Sequence, residues 1–283
     1  MLTRPFRSVL YIPGSKPRAI EKARGLPVDA IIFDLEDAVS PEEKAAARDT
    51  LADELAKGGF GSRFKLVRIN GLETEWGADD ARAAATMQTD AVLVPKVESA
   101  SYLSEVAALT DEARLWAMME TPRGILHAAS IAAYPLLDGF VMGTNDLAKE
   151  LRSRTTPDRL AMLPALGHCL LAARAEGIAI VDGVYNAFKD DEGLAAECRQ
   201  GRDMGFDGKT LIHPAQVAIA NAEFGPSEAD LDLARRQIEA YEAAKAGGQG
   251  VAVVDGRIVE NLHVDTARSL LAQAEAIEAI AKG

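Results

Sequence analysis

Ala30-Ile31-Ile32-Phe33-Asp34-Leu35-Glu36-Asp37 changes character half-way: four apolar residues run unbroken, then three carboxylates arrive within four positions. A strand with one wet face would alternate apolar and polar residues. Unbroken hydrophobicity instead fits a parallel strand covered on both sides. The same pattern recurs outward from this stretch at Ser8–Ile12, Lys65–Ile69, Ala91–Val94, Leu115–Met119, Phe140–Met142, Ile178–Val181 and Lys209–Ile212. With Ala30–Leu35 these make eight runs, separated by longer Ala-, Leu-, Glu- and Arg-rich stretches of helical character. That alternation predicts an α/β chain folded as a (β/α)8 TIM barrel. A doubly wound open sheet is the alternative, because spacing alone does not establish closure.

Helix signals fall between the runs. Ser40-Pro41-Glu42-Glu43 offers an N-cap serine, a first-turn proline and a glutamate at the capping-box position. Past the eighth run, Pro226-Ser227-Glu228 opens a helix to about Ala246, which Gly247-Gly248 breaks. Val251–Glu260, centred on Asp255-Gly256, reads as a hairpin, and an amphipathic helix covers His263–Ala281. The chain therefore divides into a barrel over 1–225 and a helix–hairpin–helix extension over 226–283.

The net charge of −12 over 283 residues argues against nucleic acid as a partner. No window approaches the ~18 unbroken apolar residues of a membrane span. Cys169 and Cys198 lack a second cysteine at ligand spacing and read as reduced thiols of a cytoplasmic protein. Residues 1–25 run against the overall sign. Arg4, Arg7, Lys16, Arg18, Lys22 and Arg24 face Glu21 alone, six positive against one negative, or +5. This is either a solvated basic patch or a dock for a polyanion.

Barrel chemistry gathers where the strands end. The runs end in Tyr11-Ile12-Pro13-Gly14-Ser15, Asp34-Leu35-Glu36-Asp37, Arg68-Ile69-Asn70, Pro95-Lys96, Glu120-Thr121-Pro122-Arg123, Gly143-Thr144-Asn145-Asp146, Asp182-Gly183 and His213-Pro214. Carboxylates converging on one mouth repel unless protons or a cation neutralise them. A hard divalent ion such as Mg2+, with Mn2+ as the alternative, suits oxygen donors, and no His/Cys cluster suits zinc. Arg68 could grip a carboxylate or a developing oxyanion. The opposing reading is that these groups only pair with one another at the rim. His127 and His168 read as structural, His213 as either a turn residue or a channel border, and Met118-Met119 as barrel core.

FDLEDAV (Phe33–Val39), VRING (Val67–Gly71), PKVES (Pro95–Ser99), METPRGI (Met119–Ile125), GTNDLA (Gly143–Ala148) and IHPAQV (Ile212–Val217) resemble the citrate lyase β-subunit and malyl-CoA lyase family, HpcH/HpaI-like, from Arg7 to about Ala276. The resemblance implies that Glu120 and Asp146 hold magnesium and that Arg68 binds the substrate's carboxyl end. It also implies that Glu36 and Asp37 stand near the metal, and that Lys16 and Arg18 meet the phosphates of a coenzyme A thioester. A pantetheine thioester on a carrier protein is the alternative to free coenzyme A.

Lyases of the family bring an aspartate from the tail hairpin of a neighbouring subunit into the active site. Here Glu260 holds that position after Gly256-Arg257-Ile258-Val259, one methylene longer, with Asp265 as another carboxylate nearby. The resemblance thus leaves three readings: hydrolysis of a malyl-CoA thioester with Glu260 as base, which the longer acid favours; carbon–carbon cleavage to glyoxylate and acetyl-CoA; or a carrier-dependent lyase subunit. A homo-oligomer, trimer or hexamer, follows from the shared site.

Overall fold

The computed structural model describes residues 4–282. Eight parallel strands close on themselves in sequence order: β1 (Ser8–Pro13), β2 (Ala30–Asp34), β3 (Phe64–Arg68), β4 (Ala91–Val94), β5 (Leu115–Met119), β6 (Leu137–Met142), β7 (Ala179–Asp182) and β8 (Gly208–Leu211). Closure comes from β1 pairing with β8, Ser8 opposite Lys209 through Leu10 opposite Leu211. The open-sheet alternative is thereby excluded.

Side-chain parity divides the hydrophobic residues into two cores. Val9, Ala30, Ile32, Leu66, Leu93, Trp116, Met118, Val141 and Val181 fill the barrel interior. Their neighbours Leu10, Ile31, Phe33, Val67, Val92, Ala117, Phe140 and Ile180 pack outward against the helices. Both faces are dry, which is why each strand reads as a continuous apolar run. Trp116 plugs the floor against Phe6 and Phe64, with ring centroids at 5.0 and 6.0 Å. Continuing the parity puts Asp34, Arg68 and Glu120 inward at the opposite end, as the next step after Ile32, Leu66 and Met118.

The proline-headed helix start after β2 differs from expectation. Pro41–Glu43 is a single 3-10 turn before the helix Lys44–Ala56, and the Ser40 side chain makes no capping hydrogen bond. Lys44 explains the change. Its buried ammonium donates to the carbonyls of Leu35 and Glu36 and to Asn70 Oδ1, so the turn is organised around the end of β2 rather than around Ser40.

Residues 225–282 with Arg4 and Pro5 form a separate compact unit from Phe6–Phe224. Ser227 and Asp230 make a reciprocal capping box on the helix Glu228–Ala246. Strands β9 (Ala252–Val254) and β10 (Arg257–Val259) form the hairpin, and a helix follows over Asn261–Lys282. Asp255 and Gly256 both take positive φ, 50° and 75°, the geometry a two-residue turn between twisted strands requires. Ala252, Val254, Val259 and Val264 pack with Leu233, Ile238 and Tyr241 into this unit's own small core. Among the described residues no helix is long and apolar enough to cross a membrane.

Candidate active site

A cavity of about 300 Å3 opens at the C-terminal ends of the strands, walled by Tyr11, Asp34, Asp37, Arg68, Glu120 and Asp146. Each arrives for a local reason. Asp34 and Arg68 end their strands on the inward parity. Glu120 follows β5 on the inward parity of Met118, and Thr121 caps the next helix by accepting from Gly124 N–H at 3.0 Å. Asp146 lies in the first turn of the helix Thr144–Glu150. Gly143 must stay small, because a Cβ there would sit 2.3 Å from Glu120 Cβ and 2.5 Å from its Oε2.

Arg68 is the hub. Nε and Nη2 donate to Asp34 Oδ1 and Oδ2 at 2.7 and 2.6 Å, a bidentate fork, while Nη1 stands 2.8 Å from Glu36 Oε2 and 3.7 Å from Asp37. The guanidinium also lies over the Tyr11 ring at 5.0 Å. Burial pushes Asp34 up, but the Arg68 charge and fork, with the N–H groups of Glu36 and Ala38, outweigh it and hold the carboxyl low. Glu36 ends above its usual range, because burial exceeds what Arg68 and Lys96 return. Its Oε2 has no hydrogen-bond partner among the described residues.

Glu120 is different again. Burial first, then the charge of Glu36, pushes it up to about 7. Its carboxylate accepts from the Lys96 N–H at Oε1, 2.8 Å away. Neither Glu120 nor Asp146 has an ion-pair partner among the described residues. A buried carboxylate beside a half-buried one, with the local cations already engaged, is a donor set that fits a hard divalent cation. No three His, Cys, Asp or Glu side chains form a metal cage among the described residues. Mg2+ takes one or two carboxylates and leaves positions for water and substrate.

The structure thus gathers Arg68, Asp37, Glu120 and Asp146 around one cavity, with Glu36 against Arg68. Lys16 and Arg18 are exposed and are not among the cavity walls; Lys16 pairs loosely with Glu43 at 3.4 Å. The basic patch is smaller than its sequence suggests, because Arg7 is bound to Asp29 and Arg24 to Glu21 and Glu54. Glu260 belongs to the other unit, where it is exposed and its backbone N–H donates to His263 Nδ1 at 3.0 Å. Asp265 accepts from Asn261 at 3.0 Å on the final helix.

Asp182, read from the sequence as a mouth residue, is a correction. It follows Ile180 on the outward parity and is buried with Arg159 and Lys209, at 2.7 and 3.0 Å. His213 is a turn residue, its Nδ1 accepting from Ala215 N–H in a capping box with Gln216. Sequence reasoning passed over Asp34 and Tyr11 as site residues, although the inward parity of β1 and β2 points to both. Met118 is core as expected, and its sulfur also accepts the Tyr11 hydroxyl at 3.4 Å.

Comparison with known proteins agrees with the closed barrel. Residues 7–214 match the model of the HpcH/HpaI aldolase/citrate lyase family. The chain belongs to that family. It is 66% identical over 275 residues to a (3S)-malyl-CoA thioesterase of Cereibacter sphaeroides, covering 97% of this chain and 96% of that one. It is 35% identical to an L-malyl-CoA/beta-methylmalyl-CoA lyase of the same species, covering 98% and 96%. The crystal structure of protein CitE from Mycobacterium tuberculosis, in complex with magnesium, acetoacetate and coenzyme A, superimposes with a TM-score of 0.81. That match is 31% identical and covers 97% of this chain and 100% of that one.

Proposed function

We propose that this chain hydrolyses (3S)-malyl-CoA to malate and free coenzyme A with Mg2+. The observation that carries the reading is the 66% identity to a (3S)-malyl-CoA thioesterase across nearly the full length of both proteins. The site supports it: Glu120 and Asp146 are the two mouth acids without an ion-pair partner among the described residues, and they are the residues we assign to the metal. Bound there, Mg2+ supplies positive charge that fixes the hydroxy-acid end of the substrate.

Arg68 is assigned the free carboxylate or a thioester oxygen that gains charge, through Nη1, the one guanidinium nitrogen outside the Asp34 fork. Asp34 holds that guanidinium in plane, and Asp37 stands at the rim. Glu36 steadies the far side of Arg68. Glu260, supplied by a neighbouring subunit of a trimer or hexamer, takes a proton from water as it adds to the thioester carbonyl. The carbon–sulfur bond then breaks as Glu260 returns that proton to the departing sulfur, leaving the malate carboxyl and the coenzyme A thiol. Lys16 and Arg18 are assigned the coenzyme A phosphates.

A second reading, carbon–carbon cleavage, is favoured by the 35% identity to the lyase. Purified protein with Mg2+ and malyl-CoA separates them by following free thiol and glyoxylate in parallel. Thiol without glyoxylate is the expected result. Glyoxylate with acetyl-CoA would replace hydrolysis by the lyase, and neither product would point to a carrier-dependent subunit. Glu260→Ala should cut turnover by ~10²–10⁴-fold, the range for a lost general base, while sparing metal binding.

A further inference from the structure

Lys96 has no role in the reading above, yet its backbone is strained and both its ends are used. It follows Pro95 beyond β4 with φ +48°, a left-handed conformation uncommon outside glycine, asparagine and aspartate. That twist sends its N–H to Glu120 Oε1 at 2.8 Å and its ammonium to Glu36 Oε1 at 2.7 Å. One residue therefore grips two acids that stand close enough to repel each other.

The mouth acids sort themselves by their cations. Asp34 is taken by the Arg68 fork, and Glu36 is held between Arg68 and Lys96. Glu120 and Asp146 are left. Without its ammonium clamp, Glu36 would be left with the ion pair of its Oε2 to Arg68 Nη1 at 2.8 Å, a contact that lacks hydrogen-bond geometry. A freed carboxylate beside Glu120 would be a third oxygen donor for a cation that needs its remaining positions for substrate.

We infer that Lys96 is a positioning residue that withholds Glu36 from the metal, so that Glu120 and Asp146 alone bind it and the substrate's positions stay open. Its backbone N–H sets Glu120 with one oxygen capped and the other turned to the cation; its ammonium keeps Glu36 on the Arg68 side. The inference rests on Glu120 and Asp146 being the metal donors.

The test measures Mn2+ affinity by electron paramagnetic resonance and Mg2+ affinity by calorimetry in the purified full-length protein, with steady-state kinetics on malyl-CoA alongside. Lys96→Met should bind metal three- to tenfold more tightly while kcat/KM falls at least tenfold, mainly through KM. Lys96→Gly, which keeps the backbone N–H and suits the left-handed turn, should show the same tightening with an unchanged or higher melting temperature. Adding Glu36→Gln to Lys96→Met should return metal affinity towards wild type.

Weaker or unchanged metal affinity in both Lys96 variants would overturn the inference while leaving the metal site intact. So would tightening that persists in the double variant. Absence of metal binding in the wild-type protein would remove the underlying assignment itself, and Asp146→Asn serves as the control that metal is bound at this site.

Discussion

The barrel holds two ionic clusters, and they are opposites. At the mouth, Asp34, Glu36, Asp37, Glu120 and Asp146 meet Arg68 and Lys96, five carboxylates against two cations, a formal −3. Between β7 and β8, Asp182 and Glu197 meet Arg159 and Lys209, two against two. The balanced cluster lies on the outward parity against the helices; the unbalanced one lies inward, at the opening. A balanced set needs nothing further to be stable once buried. A set short of positive charge is costly by itself and is completed by what binds.

The sharpest way to break this contrast is to neutralise one acid at the mouth. Glu120→Gln, or EDTA on the native protein, should reduce hydrolysis by at least ~10³-fold, since the cation's charge is worth several kcal/mol at the reacting end. The thermal midpoint of the metal-free protein should hold or rise with Glu120→Gln, because an uncompensated buried charge has gone. Retained activity after EDTA would dismiss the metal.

Lys209→Met probes the other cluster and should do the reverse. Removing one partner of a buried pair costs about 3–5 kcal/mol, read as a fall in the denaturant midpoint, with turnover of the folded fraction kept. A loss of turnover without a loss of stability would show that the two clusters are not separate in role.

pH divides them more gently. Glu120 is raised from 4.5 to about 7, so the folded metal-free protein binds this proton more readily than the unfolded chain. Its stability should therefore rise by up to ~3 kcal/mol as pH falls from about 7 to 4.5, at ~1.4 kcal/mol per unit. Saturating Mg2+ should abolish that gain. Asp182 has the opposite sign. Burial raises it, but Lys209 and Arg159 outweigh burial, leaving it low, so its stabilisation is complete above the unfolded value and lost as pH falls further. Urea titrations from pH 8 to 3 should show the mouth's gain first and the outer cluster's loss last. A curve that only declines below pH 7 would contradict the assignment at Glu120.

The smallest expected effect is at the hairpin. Gly256→Ala places a side chain at φ 75° and should cost ~1 kcal/mol in the helix–hairpin–helix unit without touching the barrel's midpoint.

Most of the architecture was legible because a strand buried on both faces leaves an unbroken apolar run, and eight of them with helical spacers fit few arrangements. Strand ends differed by two residues or fewer except at β6, which starts at Leu137 because Gly139 makes room there for the Trp116 indole. The acids of the mouth were legible from their place after each run. Their partners were not: Asp34 and Asp182 look alike in one dimension, and only parity sends one to the opening and the other to the helices. The basic stretch at the start misled for a related reason. Arg7 and Arg24 are spent on Asp29 and Glu54, acids 22 and 30 residues away. Lys96 was unreadable as well, since nothing in Pro95-Lys96 announces a left-handed backbone.

Closure through β1 and β8 has a consequence for how the molecule is made. All five mouth acids have been synthesised once Asp146 is joined, yet β1 finds its last partner only after Leu211, 65 residues later. At ~5–20 residues per second that is an interval of several seconds. Throughout it, β1 offers a bare edge of N–H and C=O groups to any passing strand, and the acidic ring has no wall on one side. The nascent chain crosses that window before all eight strands can enclose a cation.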